Sequence, residues 1–356
     1  MPTPRQFLRP LVLGAPEPPT DIPTYPSRMI HFFDPSNERI RNRLPQLAPT
    51  LDILLGNLED AIPPSAKEAA RAGLIEVGQS LDLGATKLWT RVNAVDSPWF
   101  LDDMLELTAE IGDVLDTVML PKVNGPEEIR FLDLLLAQLE ARNGLTRPIL
   151  IHAILETAQG VSNVEAIAQS SPRLQGMSLG PSDLAASRRM KTTRVGGPHP
   201  GYVVRTDANP EEESAPRTSY IQDPWHYTLA RMIDACAANE IYPFYGPFGD
   251  FSDPIGCEDQ FRAAFILGCV GAWTLHPNQI PIAKAVFRPN PDEVAFARRV
   301  VAAMEEAGGS GGVAVVDGKM QDDATYKQCQ VLLDLANMLA EKDPELAELY
   351  EPQPSA

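Results

Sequence analysis

Short apolar runs recur along the chain, each followed by a stretch in which apolar positions return with helical spacing. The runs at 29–33, 52–58, 88–92, 117–120, 149–155, 175–179, 241–245 and 272–275 read as strands. Between them lie helical patterns. One covers 65–77, with Ser65 as expected N-cap and Glu68 at the capping-box position. Another covers 126–142, preceded by Gly125, with apolar residues at Ile129, Leu132, Leu135, Leu136 and Leu139. Eight strands alternating with helices predict an α/β fold of parallel units, either a closed barrel or an open doubly wound sheet. A glycine-rich turn after the first strand is missing, which disfavours a dinucleotide-binding sheet and favours a (β/α)8 TIM barrel.

Two segments break this rhythm. Residues 186–222 form a connection rich in Pro, Gly and basic residues, far longer than an ordinary strand-to-helix loop. The run AGGSGG at 307–312 reads as a flexible hinge. The expected partition is a catalytic barrel over 1–306, then a hinge and small C-terminal lid over 307–356, with a helical pattern around 332–346.

Composition narrows the options. Hydrophobic residues make up 44% and charged residues 22% of 356 residues, as expected of a chain that buries a core. Proline is abundant at 34 residues, about twice its usual ~5% share, which fits many turns. The net charge of −18 makes a nucleic-acid or anionic-membrane partner electrostatically unfavourable. Apolar runs fall short of the ~18 residues of a membrane span, and the Leu11–Ala15 run near the start is too short for a signal peptide core. Cys236, Cys257, Cys269 and Cys329 lack metal-site spacing and are expected as reduced packing residues of a cytoplasmic protein.

In a β/α barrel the reactive side chains stand at the C-terminal ends of the strands. Those ends carry Glu59 and Asp60, then Arg91, Lys122, Glu156 and Asp183 in turn. Five successive charged ends are hard to explain as packing. Glu156 and Asp183 are suited to Mg²⁺, which needs one or two carboxylates and keeps several waters; as bland alternatives, both could be helix N-caps. Arg91 can clamp an oxyanion or carboxylate, or simply pair with Glu59 or Asp60. Lys122 offers a Schiff-base route to the same carbanion, although the carboxylate pair favours the metal. The five histidines show no HExxH spacing, and a nucleophile elbow or Cys–His pattern is not evident. Basic residues cluster at Arg5, Arg9, Arg28, Arg39, Arg41 and Arg43, a candidate phosphate patch, and again at 188–194.

The ordered motifs GNLEDAI (56–62), RVNA (91–94), PKV (121–123), ETAQG (156–160), SLGPSDLAASR (178–188), GPFGDFSD (246–253) and DGKMQDDATYKQ (317–328) together resemble the malyl-CoA lyase group. This is a branch of the citrate lyase β-subunit-like, or HpcH/HpaI aldolase, superfamily, and MKTTRVGG with the following DPWHY look most like its L-malyl-CoA/β-methylmalyl-CoA lyases. The resemblance implies reversible aldol-type cleavage of malyl-CoA to acetyl-CoA and glyoxylate, and of β-methylmalyl-CoA to propionyl-CoA and glyoxylate, with Mg²⁺ or a substituting Mn²⁺. It implies Glu156 and Asp183 as metal ligands, Arg91 as the catalytic arginine, and Asp322 in GKMQD as the acid–base, ahead of Asp317 and Asp323. Glu59 and Asp60 are implied to orient Arg91 and the metal's waters, and Phe33, Arg39 and Arg43 to contact CoA, where the motif departs from its relatives. It further implies a homo-oligomer, trimer or hexamer, whose lid closes over a neighbouring subunit. Within the superfamily the alternatives are a malyl-CoA thioesterase, a citramalyl-CoA lyase, or a citrate-lyase-like subunit acting inside a complex.

Overall fold

The computed structural model describes residues 12–192, 194, 196–208, 214–309 and 311–351. It contains two compact units. One takes in Met29–Ala283 with the segment ending at Pro23, and the other Thr24–Arg28 with the chain from Lys284 onward.

The first unit is a closed barrel of parallel strands: β1 (Met29–Phe33), β2 (Ile53–Asn57), β3 (Lys87–Arg91), β4 (Leu115–Leu120), β5 (Leu150–Leu155) and β6 (Leu174–Leu179). Next come an antiparallel pair, β7 (Val203–Arg205) and β8 (Ser219–Ile221), outside the barrel, and then the barrel strands β9 (Tyr242–Pro247) and β10 (Gly271–Thr274). β10 pairs with β1 and closes the ring. All eight expected strands are present, with ends shifted by up to two residues. Their apolar side chains point both inward and outward into buried layers, so the runs are continuous rather than alternating. Trp89, His152 and Phe244 pack at ring separations of 5.1–5.9 Å in the barrel centre. The expected 186–222 connection contains the β7–β8 hairpin.

Helix α1 is Glu38–Arg41 and α2 is Leu44–Leu47. Helix α3 runs Lys67–Ser80, and Ser65 does not cap it: Pro64–Ala66 forms a 3-10 turn and the N-cap position falls to Ala66, which has no side-chain bond to offer. Consecutive prolines at 63 and 64 set that turn before the helix begins. Then follow α4 (Phe100–Ile111) and α5 (Pro126–Asn143), the latter starting after Gly125, whose N–H is accepted by Glu128. Short helices α6 (Ala158–Ser162), α7 (Val164–Ala168) and α8 (Pro181–Ser187) flank β6, and α9 (His226–Ala237), α10 (Pro254–Leu267) and α11 (Gln279–Val286) complete the run.

The second unit contains α12 (Pro291–Glu306), the hairpin β11 (Ala314–Val316) with β12 (Lys319–Gln321), α13 (Asp323–Lys342) and α14 (Pro344–Tyr350). Ala297, Val300 and Met304 of α12 pack with Cys329 of α13, and Val294 packs with Ala336, Leu339, Leu346 and Tyr350. Thus α12, which precedes the glycine run at 307–312, shares a core with α13. The helical pattern expected over 332–346 is two helices, because Pro344 cannot continue the first. At that break Asp343 receives Arg28 at 2.6 Å and Lys284 at 2.9 Å. All four cysteines are buried and free, and among the described residues no helix is long and apolar enough to cross a membrane.

Candidate active site

The strand registers bring the charged ends together. Asn57 is the register partner of Arg91 across β2 and β3, and Leu155 that of Leu179 across β5 and β6. Glu156 therefore emerges beside Gly180, and both open into a cavity of about 810 Å³ at the C-terminal mouth of the barrel. Asn57, Asp60, Arg91, Glu156 and Asp183 line its polar side, while Phe32, Ile40, Leu44, Leu47, Trp273 and Leu275 line an apolar wall.

Arg91 is almost fully buried and held on several sides. Its Nε donates to Asn57 Oδ1 at 2.8 Å and Nη2 to the Asp60 carbonyl at 3.1 Å, with Nη1 3.4 Å from Glu59 Oε2. The guanidinium also lies 5.4 Å from the Phe32 ring centre, and Phe32 packs on Trp273 at 4.6 Å. A cation clamped in this way is pre-oriented toward charge arriving in the cavity. The salt bridge to Glu59 exists, and Arg91 lines the cavity as well.

Glu156 is 2% exposed. Burial pushes its carboxyl up to about 7, Arg91 pulls it down, and the nearby charges of Asp183 and Glu59 push it further up. Neither Glu156 nor Asp183 is an N-cap: Thr157 caps α6, Gly180 stands before α8, and Asp183 lies inside the first turn of α8. The bland reading of these two acids therefore fails. A buried carboxylate held up by burial and by a second carboxylate beside it is what a divalent cation relieves. Among the described residues no group of three or more His, Cys, Asp or Glu is placed to hold a metal. A donor set of two carboxylates fits Mg²⁺, which fills its remaining positions with water and substrate oxygens.

The loop bearing Glu59 and Asp60 is pinned from below. The Lys67 ammonium donates to the carbonyls of Leu58 and Glu59 at 2.7 and 2.8 Å and to Asn93 Oδ1 at 2.6 Å. Asn93 donates to Asp103, which also receives Arg71. Lys122 Nζ contacts both Glu59 and Asp60. Burial opposes the charge of Lys122, but its bonds to the two carboxylates outweigh it and raise its pKa above that of an ordinary lysine. An amine so charged is poorly suited to a Schiff base. For Asp60, burial is likewise outweighed, here by Lys122 and Arg91, and the carboxyl is held low.

Of the expected CoA residues, Phe33 and Arg43 line the cavity, whereas Arg39 is exposed on α1 and does not. The N-terminal basic patch does not assemble as expected: Arg28 pairs with Asp343, Arg41 donates to the Pro35 carbonyl and pairs with Glu76, and Arg5 and Arg9 lie outside the described residues. Asp322 belongs to the second unit, where it caps α13 by accepting the Thr325 N–H at 3.1 Å. Asp317 is taken by Arg299 and Asp323 by Lys327. Asn57, Phe32, Lys67 and Trp273 escaped the sequence reading. Asn57 lies within GNLEDA and could have been found from its alignment with Arg91, but the others look like ordinary core or helix positions.

A second cavity of about 890 Å³ opens near Leu174 and Tyr242, the starts of β6 and β9. This is the end of the barrel opposite the chemistry, and Asp133 on its wall is already bonded to Arg173.

Residues 29–199 match the model of the HpcH/HpaI aldolase/citrate lyase family. A malyl-CoA/β-methylmalyl-CoA/citramalyl-CoA lyase from Chloroflexus aurantiacus is 58% identical over 344 residues, 97% of this chain and 97% of that protein. An L-malyl-CoA/β-methylmalyl-CoA lyase from Cereibacter sphaeroides is 38% identical over 319 residues, covering 89% of this chain and 97% of its own. The fold is shared with the solved structure of CitE from Mycobacterium tuberculosis in complex with magnesium, acetoacetate and coenzyme A. That match has a TM-score of 0.64 at 23% identity and covers 87% of this chain and 97% of the other. With its closed parallel barrel and a charged mouth built from five strand ends, this chain belongs to the HpcH/HpaI aldolase/citrate lyase family.

Proposed function

We propose that the chain is a carbon–carbon lyase that reversibly cleaves L-malyl-CoA to acetyl-CoA and glyoxylate, and β-methylmalyl-CoA to propionyl-CoA and glyoxylate. The observation that carries this reading is the fixed Arg91 guanidinium facing the same cavity as the Glu156–Asp183 pair. The names of the two lyases that share most of this chain's length support the substrate class. Glu156 and Asp183 would hold Mg²⁺, or Mn²⁺ in its place; the solved CitE complex of the same fold contains magnesium.

When bound, such an ion acts as a Lewis acid toward the hydroxyl and carboxylate of a 2-hydroxy acid. The residues of the chain do the rest. Arg91 stabilises the negative charge that builds on the thioester oxygen as the C–C bond breaks, a contribution of about 3–4 kcal/mol for a well-placed donor. Glu59 and Asp60 keep Arg91 in position. The apolar wall of Phe32, Ile40, Leu44 and Leu275 excludes water from the carbanion. Asp322 of a neighbouring copy protonates the enolate carbon in cleavage and removes a proton from the acyl methyl in condensation. The unit bearing Asp322 serves as the lid, in a cytoplasmic homo-oligomer of three or six copies. Phe33 and Arg43 contact CoA.

Incubating the purified chain with malyl-CoA and Mg²⁺, with and without EDTA, and trapping glyoxylate as its phenylhydrazone tests this reading. Glyoxylate released in a metal-dependent manner is expected. Malate and CoA without glyoxylate would mean a thioesterase, and inertness toward malyl-, β-methylmalyl- and citramalyl-CoA would overturn the lyase reading.

A further inference from the structure

Lys122 joins the two halves of the site by two different groups of one residue. Its φ is +55°, in the left-handed region that disfavours side chains. Turned this way, its backbone N–H points at Glu156 Oε1 and donates at 2.7 Å. Its side chain leaves in another direction, where Nζ meets the carboxylates of Glu59 and Asp60, the latter at 3.2 Å. Those carboxylates belong to the loop that also receives Arg91. Strain at a functional site persists when surrounding contacts over-determine it, and the ammonium contacts supply that constraint here.

We propose that Lys122 is a positioning residue with two separable actions. Its N–H fixes one oxygen of Glu156, leaving the other for the metal ion. Its ammonium occupies Glu59 and Asp60, so that they do not draw Arg91 away from the substrate. The second action rests on the role given to Arg91 above; the first does not.

Glycine adopts the backbone conformation of residue 122 without strain, so Lys122→Gly removes the ammonium and keeps the N–H in place. Lys122→Ala removes the ammonium but keeps the strain that the ammonium contacts offset, so its backbone relaxes and the N–H turns away from Glu156. Ion affinity is read from Mn²⁺ binding by electron paramagnetic resonance, and turnover is read separately as kcat and KM. Lys122→Gly is expected to bind Mn²⁺ within about twofold of wild type, since glycine holds the same turn, while kcat falls. Lys122→Ala is expected to lose about 10- to 100-fold in Mn²⁺ affinity, the usual effect of removing a group that orients a metal ligand. Lys122→Arg, which keeps a cation on the loop, is expected to recover part of kcat.

Equal loss of Mn²⁺ by the Gly and Ala variants would overturn the backbone action, as would wild-type affinity in Lys122→Ala. Unchanged kcat in Lys122→Gly would overturn the side-chain action. If Lys122→Ala fails to fold by circular dichroism, Lys122→Gly against wild type still decides the side-chain action, and a loss of Mn²⁺ affinity in Lys122→Gly would overturn the backbone action. Should the wild-type protein cleave no thioester while the Mn²⁺ pattern holds, the lyase reading fails and the hold on Glu156 stands.

Discussion

Gly180 lies against Glu156 so closely that a Cβ at position 180 would fall 2.6 Å from Glu156 Cβ and 2.7 Å from its Oε2. The Gly180 N–H also donates to the Leu155 carbonyl at 3.0 Å, tying the end of β6 to the end of β5. The pair explains why glycine stands in LGPSD: nothing larger lets the carboxylate occupy the barrel mouth. Gly180→Ala should displace Glu156 and cost about 1–3 kcal/mol in overpacking. The increase in melting temperature that Mg²⁺ confers on wild type should vanish in this variant. A Gly180→Ala protein that is stabilised by Mg²⁺ as well as wild type would show that Glu156 does not hold the ion.

Asp322 is exposed and caps α13 through Thr325, which permits a clean substitution. Asparagine caps helices as well as aspartate does, so Asp322→Asn should melt at the wild-type temperature. Its turnover should fall about 10²- to 10⁴-fold, the range for a lost general acid–base. If Asp322 serves a neighbouring copy, mixing it after co-refolding with an Arg91→Lys variant should restore activity, because some sites then combine an intact Arg91 with an intact Asp322. No recovery on mixing would place both residues in one subunit's site.

His152 sets an acid limit on stability. It accepts from Gln175 Nε2 at Nδ1 and donates from Nε2 to Ser178 Oγ, 2.6 Å away, so both ring nitrogens are satisfied in the neutral form. Burial lowers its pKa to about 3, and burial with the charge of His276 lowers that of His31 to about 4. Below the unfolded value of ~6.5 the unfolded chain takes up protons that the folded chain refuses. The contribution of these two histidines is therefore complete above about pH 6.5 and declines as pH falls toward 3, by on the order of 5 kcal/mol for His152 alone. Between pH 7.5 and 4.5 the urea midpoint of wild type should fall relative to that of His152→Gln, whose donor and acceptor do not titrate; the difference removes the opposite trend of Glu156, whose raised carboxyl costs less as pH falls. An equal slope in that variant would assign the acid loss to other groups.

Glu140 holds Arg173 from two sides, at 2.6 and 2.7 Å, and also accepts the Ile149 N–H at 2.8 Å. Glu140 is fully buried and Arg173 nearly so. Glu140→Gln removes a two-pronged charge-assisted contact from Arg173, which keeps Asp133 at 2.7 Å, and should destabilise the barrel by about 1.5–3 kcal/mol. Removing the cation instead, as Arg173→Met, leaves Glu140 and Asp133 as two buried carboxylates facing each other and should cost more in urea unfolding. An Arg173→Met protein no less stable than Glu140→Gln would show that the guanidinium does not hold this cluster.

The strand pattern was legible because buried parallel strands are continuous apolar runs bounded by turns, and that periodicity survives in one dimension. Charged strand ends were legible for the same reason: Glu156 and Asp183 interrupt an apolar context and have no packing role. Local chemistry was harder. Ser65 has the composition of a cap, but the prolines beside it start a tighter turn first. Arg28 counts as part of a basic patch in the sequence, yet pairs with Asp343, more than three hundred positions along the chain. The glycine run at 307–312 suggests a boundary, while the apolar stripe of α12 already packs on α13 beyond it. Sequence by itself determined the eight-fold alternation and which residue types stand at the strand ends, since both follow from short-range periodicity. Only the tertiary structure decided that Arg91 is locked by Asn57, that Gly180 makes room for Glu156 and that Lys122 bridges both carboxylate groups. Closing a barrel sets neighbours through strand register, and no local pattern along the chain encodes which distant side chains that register will place side by side.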